Sequence, residues 1–212
     1  MNASSCDLHP DRPLKCLLIY PAFPENAYWN WKDVCRAMGR QAMGIPLGML
    51  TFAATLPPQW ELRLLDLNTA PWDDELWEWA DLICVGGMII QQSGMFEIFR
   101  LARRDGKFLI VGGADATSQP ALYRDADALV LGEAENTVPI WLDAWRQGHP
   151  RGEFRATERP DVKLSPVPRY DLLNVDDYMS VHVQFSRGCP FNCEFCDIIE
   201  LYGREPRTKT PE

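Results

Sequence analysis

Three cysteines near the end of the chain, Cys189, Cys193 and Cys196, have a C-x3-C-x2-C spacing. Thiolates are the usual ligands of iron–sulfur clusters, and a short loop lets three of them converge on one cluster. A [4Fe–4S] cluster that is held by three cysteines keeps one iron without a protein ligand, and an outside molecule can bind the metal there. The spacing therefore predicts a cluster with an open coordination position where chemistry can occur.

Two other uses of these cysteines are less consistent with the sequence. A zinc site normally takes four ligands, commonly from paired C-x2-C units, and only one such unit is present here. His182 is a possible fourth ligand, but it lies on the far side of the Arg187-Gly188 turn. A disulfide is disfavoured in a chain without a secretory signal. The other cysteines have no ligand spacing, and we interpret them as structural or free thiols; they are Cys6, Cys16, Cys35 and Cys84.

The residues around the three cysteines carry a family resemblance. Arg187-Gly188 stands before the first cysteine, and the aromatic Phe195 stands directly before the third. This segment resembles the signature of the radical S-adenosylmethionine superfamily. The continuation from Asp197 to Arg204 resembles the branch with an N-terminal cobalamin-binding domain, which includes bacterial hopanoid C-2 methylases.

The resemblance implies cofactors and a mechanism. The three cysteines would hold a [4Fe–4S] cluster whose open iron binds S-adenosylmethionine. An electron from a donor such as flavodoxin or ferredoxin would release a 5′-deoxyadenosyl radical, which takes a hydrogen atom from the substrate, and methylcobalamin would then donate a methyl group. Phe195 would pack against the cluster or a cofactor, with an ordinary core position as the alternative.

The function implied by the resemblance is methyl transfer to an unactivated carbon of a small-molecule or lipid substrate. Two alternatives stay open. The first is radical chemistry without methyl transfer, and the second is a non-catalytic corrinoid-binding module.

Upstream of the cysteines, strand and helix patterns alternate along the chain. This alternation predicts an α/β fold with a Rossmann-like, parallel, five-stranded sheet and helices on both faces. The predicted strands cover residues 15–20, 61–66, 81–86, 108–111 and 128–131. The predicted helices cover residues 46–54, 73–80, 93–104 and 137–147, with a further short one over 32–38.

Glycines cluster directly after three of the predicted strands, in Gly86-Gly87-Met88, Gly112-Gly113 and Gly132-Glu133. Ligands of such sheets bind beyond the carboxyl ends of the strands, and glycine lets the backbone approach a bulky ligand closely. One glycine turn would indicate only a tight connection, whereas three at the same edge indicate a binding site. The resemblance to the cobalamin-binding fold implies that these residues contact cobalamin.

The segment after the second strand departs from the family pattern. Known members carry an Asp-x-His-x-x-Gly motif whose histidine binds cobalt, and here Asn68 stands at the histidine position and Pro71 at the glycine position. The resemblance therefore implies a cobalamin that is bound without a protein histidine on the metal.

The chain divides into residues 1–149, a proline-rich linker over 150–179, and residues 180–212. The resemblance implies that the first part is a cobalamin-binding-like domain and the last the start of a radical S-adenosylmethionine domain. The alternating residues 181–185 predict a strand, which by the resemblance is the first strand of a partial (β/α)6 barrel. Because the chain ends near the first barrel helix, we expect an N-terminal fragment of a longer enzyme, inactive alone.

Charge and hydropathy argue against some classes of binding partner and against a membrane span. The net charge is −9 and no basic face is evident, which argues against a nucleic-acid duplex. The longest apolar stretch, residues 45–56, is short and contains Pro46 and Gly48, so no membrane span is expected. The polar N-terminus lacks a signal-peptide core, which predicts a cytoplasmic location.

Overall fold

The structure is a computed structural model that describes residues 8–28 and 30–210. Cys6, one of the predicted structural thiols, lies outside the described residues. The strands are β1 (Lys15–Tyr20), β2 (Ala42–Gly44), β3 (Glu61–Asp66), β4 (Leu82–Gly86), β5 (Phe108–Gly112), β6 (Ala128–Leu131), β7 (Gly152–Arg155), β8 (Tyr178–Ser180), β9 (Ser186–Arg187) and β10 (Arg207–Thr208). The helices are α1 (Lys32–Ala37), α2 (Leu47–Ala53), α3 (Asp74–Trp79), α4 (Gln92–Asp105), α5 (Gly113–Ser118), α6 (Ala134–Arg146) and α7 (Ile198–Tyr202).

The central sheet is parallel, in the order β3-β1-β4-β5-β6-β7. All five predicted strands are present, and each helix that the sequence predicts is present within a few residues of its predicted bounds. The four inner strands, β1, β4, β5 and β6, are nearly continuous apolar runs because both faces of the sheet are covered, which is typical of parallel sheets.

The two faces of the sheet carry separate cores, because successive side chains of a strand point in opposite directions. Cys16 and Leu18 of β1 join the core on the α2 and α6 side, with the indoles of Trp60, Trp141 and Trp145. The other face packs against α3 and α4 through residues that include Leu17, Ile19, Met95, Ile98 and Trp77. The prediction of helices on both faces is therefore confirmed.

The prediction of five strands is wrong, because β7 adds a sixth strand. Residues 152–155, which fall in the predicted linker, pair in parallel with β6 from Ala128↔Gly152 to Leu131↔Arg155. Phe154 packs onto the α2 and α6 core. The open edge of β6 offers backbone hydrogen-bond partners, and these four residues contain no proline to prevent the pairing.

The rest of the predicted linker also contacts the sheet domain. Val162 is buried, and β8 forms a small parallel pair with β2 through Ala42↔Tyr178 and Gly44↔Ser180. Tyr178 Oη also donates a 2.9 Å hydrogen bond to the buried carboxylate of Asp66, at the end of β3. The linker is thus fixed to the sheet domain at both ends.

The predicted strand over residues 181–185 is absent, and these residues belong to no regular element. The paired residues lie one step later, where Arg187 of β9 faces Arg207 of β10 in an antiparallel bridge. The carbonyl of Phe185 accepts from the backbone nitrogen of Lys209 at 2.8 Å, and Val183 is 83% exposed. An alternating apolar pattern becomes a strand only where it joins a ladder of backbone hydrogen bonds, and residues 181–184 join none among the described residues.

Within residues 8–28 and 30–210, no helix combines the length and the apolar character that a bilayer crossing requires.

Candidate cofactor site

A cavity of about 320 Å³ lies at the carboxyl edge of the sheet, between the strand ends and α2. It lies beside the end of β1, where the strand order reverses because β3 pairs with one side of β1 and β4 with the other. This is the usual ligand position in open parallel sheets. The strand ends that line it include all three predicted glycine turns, through Gly86, Gly87, Met88, Gly112, Gly113, Gly132 and Glu133. The structure therefore brings these seven residues together around one space.

Two of these glycines are required by the backbone itself. A Cβ on Gly112 would lie 2.8 Å from the carbonyl oxygen of Val130 on the neighbouring strand. Gly113 has φ +87°, and a Cβ there would lie 3.0 Å from the backbone nitrogen of Gly87. The first two turns therefore touch each other and form a continuous backbone shelf under the cavity.

The buried residue Asp115 supports this shelf through its hydrogen bonds. Asp115 is buried, and its backbone nitrogen donates to the carbonyl of Gly87 at 3.2 Å. Its carboxylate accepts hydrogen bonds from Tyr123 Oη, from Gln92 Nε2 at 3.0 Å and from Gln119 Nε2 at 3.0 Å. Burial, and then the adjacent Asp115, raise the pKa of the Tyr123 phenol, which keeps the donated proton in place. No local sequence pattern marks this cluster, since its members are spread from α4 to the turn after α5.

The opposite wall of the cavity comes from α2. Pro46 and Phe52 line it, and the Thr51 hydroxyl donates back to the carbonyl of Leu47 at 2.9 Å. Gly48 faces open space, because a Cβ there would meet no atom within 4 Å. This helix is therefore the wall that a substitution can change without disturbing the sheet.

Two pairs of opposite charges close the cavity on the side of the cysteines. We call the four side chains of Glu133, Glu135, Arg187 and Arg207 the clamp. Arg187 donates to Glu133 at 2.7 Å and forms a two-pronged pair with Glu135 at 2.7 and 3.0 Å. Arg207 donates to Glu133 at 2.7 and 3.1 Å. Two arginines and two glutamates make the group neutral, as a buried ionic cluster requires.

The clamp is shielded from water, which strengthens its interactions. The side chains of Arg187 and Glu133 are 7% and 5% exposed. Burial opposes the ionisation of Glu135, but Arg187 and the Ser165 hydroxyl outweigh it and lower the pKa of this carboxyl. Burial likewise disfavours the charged form of Arg187, and its two glutamate partners outweigh that effect and raise its pKa. Glu135 and Arg187 are therefore charged at neutral pH.

Residues 188–197, here called the cysteine loop, follow Arg187 directly. Gly188 has φ +90°, and a Cβ there would lie 2.4 Å from the carbonyl oxygen of Glu205, so only glycine fits. The backbone nitrogen of Cys189 donates to the carbonyl of Gly203 at 3.0 Å, which ties the loop to the end of α7. All three cysteines are free thiols, and Cys193 is exposed.

The remaining predicted site residues lie apart from the cavity lining. Asn68 is engaged by the fold: its side chain accepts from the backbone nitrogen of Phe23 at 2.8 Å and donates to Asp66 at 2.7 Å and to the carbonyl of Pro21 at 3.2 Å. Phe195 is 93% exposed on the cysteine loop. Arg187 was only a flank of the cysteine motif in the sequence, and the structure makes it a cavity residue.

The fold and the cavity define a parallel α/β domain with a cavity at its strand ends and a cysteine loop beside it. No family model matches the chain. It is 46% identical over 200 residues to an uncharacterized methyltransferase of Synechocystis sp. (strain ATCC 27184 / PCC 6803 / Kazusa), a match that covers 93% of this chain and 37% of the relative.

Two further relatives are also methyltransferases by name. The chain is 36% identical over 171 residues to hopanoid C-2 methylase of Rhodopseudomonas palustris (strain TIE-1), covering 79% of this chain and 32% of the relative. It is 27% identical over 177 residues to bacteriochlorophyllide d C-8(2)-methyltransferase of Chlorobaculum tepidum, covering 78% and 38%. The chain thus spans about a third of the length of these curated relatives.

Proposed function

We propose that this chain forms the cofactor-binding part of a methyltransferase that combines cobalamin with radical S-adenosylmethionine chemistry. The observation that carries the proposal is the single cavity that the three glycine turns share with Arg187 and Tyr202, the residues that flank the cysteine loop. The names of the relatives support methyl transfer. The substrate would be a small molecule or a lipid, and the electron donor a flavodoxin or ferredoxin.

The cavity fits part of a corrinoid. A volume of about 320 Å³ is too small for a whole cobalamin, so we expect the sheet edge to bury the nucleotide tail and leave the corrin ring outside. None of the three histidines, His9, His149 and His182, is among the lining residues. This supports a binding mode without a protein histidine on the cobalt.

The cysteine loop fits an iron–sulfur cluster by the chemistry of its donors. Cys189, Cys193 and Cys196 supply three free thiols on one accessible loop. Among the described residues, no three His, Cys, Asp or Glu side chains converge as a metal site. We therefore expect the loop to close when a cluster binds, with Gly188 and the Cys189 backbone as its fixed end.

The cofactors would supply the one-electron and methyl-transfer chemistry, and the chain would position them. The glycine shelf would let the ligand approach the backbone, and the apolar wall of α2 would exclude water. Burial, followed by the nearby charge of Asp66, raises the pKa of Tyr20 to about 12. Tyr20 lines the cavity, so its Oη would stay protonated and available as a neutral hydrogen-bond donor.

Anaerobic reconstitution with iron, sulfide and hydroxocobalamin tests the proposal. The triple Cys189→Ala, Cys193→Ala, Cys196→Ala variant should lose its iron and sulfide but keep the corrinoid. Gly48→Leu should lose the corrinoid but keep its iron and sulfide, because the added side chain projects from α2 beside the cavity while the cysteine loop is unchanged. Gly48→Ala, which adds a single methyl group, is the matched control and should bind both.

Two results would contradict the proposal. Undiminished cluster content in the triple variant would show that the cysteines are not the ligands. Failure of the parent chain to retain corrinoid at micromolar concentration would remove the cobalamin assignment. Nitrogen hyperfine splitting from a protein histidine, in the spin-resonance spectrum of bound Co(II), would refute the ligation state alone.

A further inference from the structure

The clamp joins the two cofactor sites by a direct chain of contacts. Glu133 follows Gly132, the third glycine turn of the cavity, and Arg187 lies two residues before Cys189. The 2.7 Å contact between Arg187 and Glu133 links the cavity turn directly to the strand that leads into the cysteine loop. Glu135, which also lines the cavity, pairs with the same arginine.

We propose that Arg187 is a positioning residue that fixes the cysteine loop against the turn after β6, so that each cofactor site responds to the ligand of the other. This inference rests on the proposed function. Closure of the cysteine loop on a cluster would pull on Gly188 and so on the Arg187 backbone. Through its paired contacts, Arg187 would then hold Glu133 and Glu135 at the cavity.

The geometry explains why this position requires arginine. Arg187 uses Nη1 for Glu133 and for Glu135, Nη2 for Glu135, and Nε for the side-chain oxygen of Gln184 at 2.7 Å. A planar guanidinium makes these contacts in one orientation, whereas a lysine ammonium has no fixed fork. Lysine at this position keeps the charge but loses the two-pronged geometry.

Arg207 makes a second, less direct contact between the cavity turn and the region of the cysteines. It binds Glu133, and its other hydrogen bonds run to the carbonyls of Pro160 and Tyr202, the residue before Gly203. Removing Arg187 together with Glu135 therefore deletes the direct connection and leaves Glu133 and Arg207 as a matched pair of opposite charges. The double variant Arg187→Met, Glu135→Gln should fold for this reason, where Arg187→Met alone leaves an unpaired buried charge.

The experiment measures the coupling between the two sites. Equilibrium dialysis gives the dissociation constant of hydroxocobalamin for the chain with and without its cluster. We expect the cluster to tighten corrinoid binding about tenfold in the parent chain, within the usual range of coupling between sites. The double variant should bind both cofactors with coupling reduced to roughly twofold or less, and Arg187→Lys should be intermediate.

Arg169→Met is the matched control. Arg169 also forms a two-pronged pair, with Asp171 at 2.7 Å, but on an exposed part of the linker. The Arg169→Met variant should keep the tenfold coupling of the parent chain. A parent chain without coupling, or a double variant with undiminished coupling, would overturn the inference while leaving the proposed function intact.

A second measurement decides the inference if either cofactor fails to bind, a result that would itself count against the proposed function. The amide of Cys189, which donates to Gly203, should exchange its hydrogen several-fold faster in the cofactor-free double variant than in Arg169→Met. Equal exchange rates would show that Arg187 does not hold the loop.

Discussion

The sheet domain and the cysteine loop bury their aromatic residues very differently. Trp141 is fully buried between α6 and the sheet, and its ring lies 6.2 Å from that of Trp60 and 5.2 Å from that of Trp145. Phe195, next to the third cysteine of the motif, is 93% exposed. One region is thus held by its own apolar contacts, and the other depends on polar contacts at its base. Mutations in the two regions should therefore separate stability from the proposed cofactor binding.

The largest effect should come from the indole core. Trp141→Ala removes a buried side chain and its Nε1 hydrogen bond to the carbonyl of Pro150, at 3.1 Å. We expect a loss of about 3–5 kcal/mol in the free energy of unfolding, as for other buried aromatic residues that are replaced by alanine. Phe195→Ala is the comparison from the cysteine loop and should change it by less than about 0.5 kcal/mol.

Denaturant unfolding in the absence of cofactors measures both values. A similar loss for the two variants would mean that Phe195 has packing partners in solution, and the contrast between the regions would fail. An unchanged Trp141→Ala protein would show that the core on this face can collapse around the missing ring.

The glycine shelf should come next. Gly113→Val places a β-branched residue at φ +87° with its Cβ 3.0 Å from the backbone of Gly87. Backbone strain of this kind costs about 1–3 kcal/mol, so corrinoid affinity should fall because the shelf distorts. The structure directs the added side chain at the neighbouring turn, where its Cβ meets the backbone of Gly87.

Gly48→Ala sharpens this result, because Gly48 lies in a helix with regular geometry and open space around it. It should raise the free energy of unfolding by about 0.5–1 kcal/mol. Calorimetric melting of both variants gives the comparison. A destabilised Gly48→Ala protein would mean that α2 is not a regular helix in solution.

The smallest effect concerns Asp66, which joins the sheet domain to the linker. Burial raises the pKa of this carboxyl from its ordinary value of 3.8, against the opposing hydrogen bonds from Asn68 and Tyr178. The folded state therefore holds the proton more tightly than the unfolded state. Stability then falls as the pH rises through the window between the unfolded and folded pKa values.

Asp66→Asn should remove this pH dependence. An amide oxygen accepts from Asn68 as the carboxylate does, and the amide nitrogen can donate to the phenol oxygen of Tyr178. Relative to the parent, the variant should gain stability as the pH rises above 3.8, by no more than about 1.5 kcal/mol, the size of one hydrogen bond. Urea unfolding at a series of pH values measures the difference.

Asp171→Asn is the control of opposite sign. Arg169 lowers the pKa of Asp171, so the parent gains stability as this group ionises and the variant should lose it. If Asp66→Asn also lost stability relative to the parent as the pH rises, the fold would stabilise the Asp66 carboxylate, contrary to the effect of its burial.

The sheet and the three glycine turns were predictable because their signals are local. A strand that is buried on both faces is a continuous apolar run, and a glycine pair after it marks the turn. β7 has a much weaker sequence signal, since only Phe154 of its four residues is apolar. It becomes a strand because the open edge of β6 supplies its backbone hydrogen-bond partners. α5 was missed because it is short and begins at Gly113, a poor helix former.

The clamp lay beyond sequence reasoning for a different reason. Arg187 is 52 residues from Glu135 and 54 from Glu133, and no periodicity connects them. The only available signal was Arg187 itself, a charged residue within the flank of the cysteine motif. Residues 181–185 show the converse, because their alternation is local, whereas the pairing with β10 that a strand requires covers Ser186 and Arg187 instead.

The attachment of the linker at both ends has a consequence for limited proteolysis. Leu164 is 82% exposed, and Lys163 just before it offers trypsin a cleavage site. A cut there would separate β7 from β8 along the chain, yet β7 would stay paired with β6 and β8 with β2. The nicked protein should therefore elute as one particle in gel filtration and give two fragments only after denaturation.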